Sequence, residues 1–251
     1  MQEKLPVALS ALRESFVARA ARMEVREAWQ VAAHFGSVDA EVEAARTAVA
    51  VGEAAGSGVW EVEGAELADL ATRLGVGEVP IGAGARVTLP SGGEARWCRL
   101  TRSRPQVLME PERARGDARQ AVRAALASAL SSLPGAERSP LPANGRCLRI
   151  TDVSSGLTTL VILGPRSPDL LARLLRVDVD PRVFADRTLA LTGAVGVPLQ
   201  LLRWDHGSLL AYELMVGRDV AEYFWGTLVH AGIGLEWQPF GVEALSRLLA
   251  E

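Results

Sequence analysis

A strand that runs into a glycine and then a leucine-striped helix occurs twice in this chain, 100 residues apart (164 − 64). The first copy is Trp60–Gly64, followed by Leu70, Arg73 and Leu74; the second is Leu160–Gly164, followed by Leu170, Arg173 and Leu174. Glycine at such a corner lets the backbone leave a strand through conformations closed to other residues. Leucines at helical spacing then cover a sheet. Later landmarks keep the same order, with Val107-Leu108-Met109 before one helix and Glu213-Leu214-Met215 before another. The repeat implies an α+β chain made of two pseudo-repeated half-domains.

The segment 134–145, with Pro134, Gly135, Pro140, Pro142 and Gly145, is the best linker in the chain. It divides residues 1–133, an N-terminal helical segment plus the first α+β half, from residues 146–251, the second half. Within 1–48, Leu5, Leu9, Leu12, Phe16 and Ala20 recur at helical spacing. Gly36 ends that pattern, and Ser37, with Asp39 and Glu41 behind it, reads as the N-cap of a helix reaching Ala48. Strands are expected at Val87–Leu89, Trp97–Thr101 and Val107–Met109, and a long alanine-rich helix over 114–133. The second half repeats this with strands at Thr188–Thr192, Val197–Trp204 and Leu209–Val216, and a helix over Asp219–Ala231.

Apolar residues make up 49% of the chain, ample for a packed core, and the formal charge of −3 argues against a nucleic-acid partner. Cys98 and Cys147 are too few for a disulfide framework or zinc site. His34, His206 and His230 share no metal-ligand spacing. No serine has a Gly-x-Ser-x-Gly context, and Gly82-Ala83-Gly84 is too short to cradle a phosphate. No run of about 18 apolar residues suggests a secretion signal or membrane span, so the expected compartment is the cytoplasm.

A longer constellation carries a resemblance. In the second half it reads Thr151-Asp152-Val153-Ser154, Leu163-Gly164-Pro165-Arg166, Arg203, Ala211-Tyr212-Glu213-Leu214, Phe224-Trp225 and Pro239-Phe240-Gly241-Val242-Glu243. In the first half, Glu41-Val42-Glu43-Ala44-Ala45-Arg46 through Val62-Glu63-Gly64 fits more loosely. This resembles the folate-dependent aminomethyltransferase family, whose type member is the glycine cleavage T-protein. The resemblance implies two α+β half-domains around a central cavity that binds tetrahydrofolate, which accepts a one-carbon unit.

The sequence departs from that family at the chemistry. Aligned on Gly92-Gly93, the family's paired aspartates fall on Arg96 and Trp97. An arginine can neither accept a proton nor stabilise a cationic carbon. Aligned on Tyr212-Glu213-Leu214, the glutamate that serves the pterin ring is Leu209, and unpaired pterin donors would cost roughly 1–3 kcal/mol each. The chain ends at Glu251, about where the family's C-terminal barrel should begin. That combination looks like the gamma subunit of heterotetrameric sarcosine oxidase, a branch that partners larger subunits.

The resemblance therefore implies a degenerate member, a pseudoenzyme with no catalytic residue and no metal site. Its expected role is that of a subunit or scaffold in one-carbon or amine metabolism, with a protein partner or as a homo-oligomer. The alternative is a folate-binding enzyme with a rearranged site. Its cofactor contacts would be Glu213, Arg203, Tyr212 and Asp152; otherwise the chain takes no cofactor. Two of these residues also have structural readings. Arg203 is as well suited to an ion pair with Asp205 or Glu213, and Asp152 to capping a turn at Ser154. Arg96 and Trp97 either plug the old cavity, guanidinium on indole, or face a partner, and the plug is the expected reading.

Overall fold

The computed structural model describes residues 7–26, 28–64, 67–89, 94–102, 105–109, 116–131 and 148–250. The elements in chain order begin with β1 (Ala8–Leu9), α1 (Arg13–Val17), β2 (Arg22–Arg26), β3 (Trp29–His34), α2 (Val38–Thr47) and β4 (Ala50–Glu53). The first copy of the repeat supplies β5 (Val59–Gly64), α3 (Leu67–Arg73), β6 (Ala83–Thr88), β7 (Glu94–Arg99), β8 (Pro105–Met109) and α4 (Gly116–Ser131). The second follows β9 (Leu148–Asp152) with β10 (Leu157–Leu163), α5 (Ser167–Ala172), β11 (Leu189–Ala194), β12 (Val197–Arg203), β13 (Ala211–Gly217) and α6 (Ala221–Ala231). The chain closes with β14 (Gln238–Pro239) and α7 (Val242–Leu248).

The two copies build sheets of the same order. One is β6-β7-β8-β5-β9, the other β11-β12-β13-β10-β4-β14. At both corners the glycine is in a positive-φ conformation, +145° at Gly64 and +108° at Gly164. Gly164 also has no room for a side chain, since a Cβ would lie 2.6 Å from the Ala48 carbonyl and 2.7 Å from that of Ala45.

The strand that completes each sheet comes from outside its own repeat. β4 precedes the first copy but pairs antiparallel with β10, from Leu160↔Glu53 to Leu163↔Ala50. β9 precedes the second copy but pairs antiparallel with β5, from Trp60↔Asp152 to Gly64↔Leu148. The compact units are accordingly residues 1–56 with 155–251, and residues 57–154. A cut at 134–145 does not describe them, because backbone pairing, not chain position, decides membership; that segment itself lies outside the described residues.

In the unit of residues 57–154, α3 and α4 cover one sheet face, burying Trp60, Val62, Leu70, Trp97, Val107, Val122 and Leu126 together. In the other unit, α5 and α6 cover one face of the six-stranded sheet over Leu160, Ile162, Leu201, Leu214, Phe224 and Trp225. A smaller cluster on the opposite face holds Val42, Ala45, Val161, Leu163, Phe240 and Leu245, under α2 and α7.

The expected N-terminal helical segment is instead a short helix and a three-stranded sheet of order β1-β3-β2. The apparent helical stripe is broken: Leu12 and Phe16 are buried, whereas Leu9 and Val17 are exposed. Positive φ at Ala20 and Ala28 turns the chain where a helix would continue, and Val31 and Ala33, two apart, are buried as strand residues. Phe16 is the anchor, meeting Trp225 edge-on at 5.1 Å and Phe35 at 5.3 Å. Such pairs add about 0.5–1.5 kcal/mol each beyond the area they bury.

A polar contact fastens the same segment. The Ser10 hydroxyl donates to Glu53 on β4 at 2.5 Å, and its oxygen accepts the Leu12 N–H at 2.9 Å. Burial pushes the Glu53 carboxyl up from its usual 4.5 to about 7, while the Ser10 hydroxyl and the Arg218 charge pull the other way.

Two outcomes follow from this packing. Gly164→Ala should lower stability by at least about 2 kcal/mol, through strain at positive φ plus collision with two carbonyls. Gly196→Ala, where a Cβ meets nothing within 4 Å, should cost less; equal urea midpoints for the two variants would refute the close-approach account. A raised folded-state pKa makes Glu53 stabilising below the unfolded value, with that contribution lost as pH rises through about 7. Relative to Glu53→Gln, wild type should therefore lose up to about 3 kcal/mol between pH 4.5 and 7, seen as melting temperatures that diverge with pH.

Candidate functional site

Strand alternation decides which candidates can act together. On β13 the side chains of Tyr212, Leu214 and Val216 point to the face covered by α5 and α6, where all three join the core. Glu213 and Met215 point to the other face. β12 pairs with β13 in the register Arg203↔Tyr212 and Leu202↔Glu213. Arg203 and Tyr212 thus share one face of the sheet, and Glu213 stands on the opposite one.

Arg203 is spent on structure. Its Nε and Nη2 donate to the Asp205 carboxylate at 3.1 and 2.5 Å, and its Nη1 donates to the carbonyls of Pro181 (2.9 Å) and Phe184 (2.7 Å). Tyr212 donates its buried hydroxyl to the Val179 carbonyl at 2.6 Å, and burial pushes that phenol up to about 12. Together they clamp the 179–184 loop to the sheet. The ion-pair reading of Arg203 is therefore the observed one, with Asp205 as its partner.

Asp152, in the unit of residues 57–154, closes a turn. Its Oδ1 accepts the Ser154 N–H at 3.1 Å and the Ser154 hydroxyl at 2.6 Å, and Ser154 Oγ accepts the Val59 N–H at 2.9 Å. This hydrogen-bonded turn ties the end of β9 to β5.

Glu213 is the one candidate on the sheet face away from α5 and α6, the face that also carries Val161 and Leu163. It is 2% exposed and lies opposite Val161 on β10 and Leu202 on β12. Two residues along, on the same face, Met215 is flanked by Thr159 and Gln200. The Gln200 Oε1 is buried with no hydrogen-bond partner, an acceptor that a donor-rich ligand would satisfy. Sequence reasoning missed Gln200 and Thr159; the signal was a lone amide inside the apolar run Val197-Pro198-Leu199-Gln200-Leu201-Leu202.

Arg96 and Trp97 do not form a stacked plug, because neighbours on a strand face opposite ways. Trp97 sits in the core of its unit beside Trp60 and Val107. Arg96, 2% exposed, lies opposite Leu108 and Arg86 on the other face, with Cys98 and Gln106 also buried there. The Gly92-Gly93 anchor of that alignment lies outside the described residues. Leu209 is half-buried in the turn it makes with His206, each donating its N–H to the other's carbonyl at 3.0 Å.

A folate ring is rich in N–H donors. The Glu213 carboxylate and the Gln200 Oε1 fit that donor set, Leu209 does not, and a buried guanidinium at Arg96 does not fit carboxylate chemistry. Among the described residues, no group of three metal-capable side chains is close enough to hold an ion. No described helix is long and apolar enough to cross a membrane.

The paired sheets define an α+β chain built from two related copies of one strand order. A family model described as the GCVT N-terminal domain matches residues 126–251, half of the sequence, and the chain belongs to that family. No curated protein matches. Among solved structures, the glycine cleavage system aminomethyltransferase T of Bartonella henselae is similar at a TM-score of 0.75 and 13% identity, over 97% of this chain and 62% of that one. The chain thus spans less than two thirds of that enzyme. Heterotetrameric sarcosine oxidase from Corynebacterium sp. U-96, solved with pyrrole 2-carboxylate, is similar at a TM-score of 0.52 and 20% identity, over 84% of this chain and 93% of that chain. At these identities the likeness is one of fold.

Arg203→Ala should destabilise the protein by about 2–4 kcal/mol, because it strands the Asp205 carboxylate and two loop carbonyls. A denaturant midpoint unchanged from wild type would show that the clamp contributes nothing.

Proposed function

We propose that this chain is a catalytically degenerate aminomethyltransferase-like protein, a pseudoenzyme that serves as a subunit or scaffold in cytoplasmic one-carbon or amine metabolism. The carrying observation is Arg96, buried on β7 where the resembled family has an aspartate. A guanidinium there repels a developing cationic carbon and has no basic lone pair to offer. Leu209 supports the same reading by replacing an expected pterin contact with a hydrocarbon.

A second reading, folate binding at a rearranged site, is favoured by Glu213 and the buried Gln200 Oε1 on one face. Arg203, Tyr212 and Asp152 add little to it, since each has a hydrogen-bonding role within its own unit. Binding without transfer is compatible with a scaffold; binding with transfer is not.

The two readings separate in one experiment on the whole chain. Tryptophan fluorescence is titrated with 5-formyltetrahydrofolate, for wild type and Glu213→Ala, beside an assay of one-carbon transfer from an aminomethyl donor to tetrahydrofolate. The proposal expects no transfer above the uncatalysed background. Turnover by the purified chain would overturn it. Micromolar binding weakened at least tenfold by Glu213→Ala would establish the rearranged site as a ligand pocket, and binding indifferent to that change would remove Glu213 from it.

A further inference from the structure

The unit of residues 57–154 has a cavity of its own, of about 500 Å³, between α3, the loop after it and the ends of β7 and β8. Glu213, Gln200, Arg203, Tyr212 and Asp152 are not among its lining residues. The apolar part of its wall is Leu67 and Ala71 from α3, Val76 and Val79 from the loop, and the Trp97 side chain. Its charged groups are Arg99, Arg102 and Glu78. The volume falls within the range of about 300–1,000 Å³ typical of small-molecule sites, which join apolar walls to a few placed polar groups.

The two guanidiniums differ in a useful way. Arg99 is half-buried, and its Nη1 donates to the Val79 carbonyl at 3.0 Å, which fixes its direction and leaves other N–H donors for a ligand. Arg102 is exposed and makes no hydrogen bond or ion pair with any described residue. Two positive charges against the single carboxylate of Glu78 leave a net excess of one. That balance suits a monoanion better than a phosphate dianion, and a planar carboxylate matches the guanidinium fork.

We infer that this cavity is a binding site for a small apolar or aromatic monocarboxylate, its hydrocarbon part against Trp97, Ala71 and Val76 and its carboxylate between Arg99 and Arg102. Its lining residues all belong to the unit of residues 57–154 and Glu213 to the other unit, so the inference does not rest on folate binding.

The test titrates the full-length, isotopically labelled protein with phenylacetate, and with phenylacetamide as its uncharged counterpart, following the Trp97 indole N–H signal by NMR. Phenylacetate should saturate with a dissociation constant between about 10 µM and 1 mM, as suits a ligand of that size. Phenylacetamide and Arg102→Gln should each weaken binding at least fivefold. Ala71→Phe, which fills the cavity, should abolish it; because Arg102 is exposed, Arg102→Gln carries the test even if that variant fails to fold. No saturation up to about 10 mM, equal affinity for the amide, or an unmoved Trp97 signal would overturn the assignment.

Discussion

Two short antiparallel ladders hold the described chain to its architecture: β4 on β10, and β9 on β5. Each supplies a neighbour to a strand that would otherwise present unpaired N–H and C=O groups to its surroundings, which is costly when buried. Ala50 and Val51 on β4 and Leu160–Leu163 on β10 are all nearly inaccessible to solvent, so this ladder runs through the core. The corner glycines serve the same end. Gly164 leaves the strand against the carbonyls that end α2, and Arg166 donates its N–H to the Ala48 carbonyl at 3.0 Å.

The sheet register also settles what the candidate residues can do. A pairing that sets Arg203 opposite Tyr212 places the guanidinium among Asp205 and the loop carbonyls, and places Glu213 on the far face. One residue of slip would exchange those roles. A joint Arg203–Glu213 site is therefore closed by geometry, not by residue type. What is left for ligand recognition on that unit is a face with Glu213, Thr159 and Gln200, richer in acceptors than in acids.

Local signals made most elements legible. The Gly64 and Gly164 corners, the Ser37 cap, whose hydroxyl accepts the Ala40 N–H at 3.3 Å, and the strands β7, β8, β12 and β13 all follow from patterns a few residues long. The exchange of β4 and β9 does not, because a strand's partner is set by pairing across more than 80 residues of chain and leaves no mark in its own composition. The N-terminal segment misled for another reason. Apolar residues spaced three and four apart imitate a helix, and only the turns at Ala20 and Ala28, residues with no preference for positive φ, separate the short helix from the strands. For the site, Glu213 was visible as an acid in an apolar strand, whereas its lack of company from Arg203 depended on register.

The exchanged strands also make each half depend on the other for a complete sheet. A single unit with this connection would make a strand it cannot use and lack one it needs, a defect that a second identical copy repairs by trading strands. Two such copies joined head to tail have the strand order seen here in both sheets. The topology is that of two strand-exchanging copies held in one chain, so the partner each copy needs is always present at the same concentration as itself. In such a chain a residue replaced in one half leaves its counterpart in the other half untouched, whereas in a symmetric pair of identical copies it would be replaced in both.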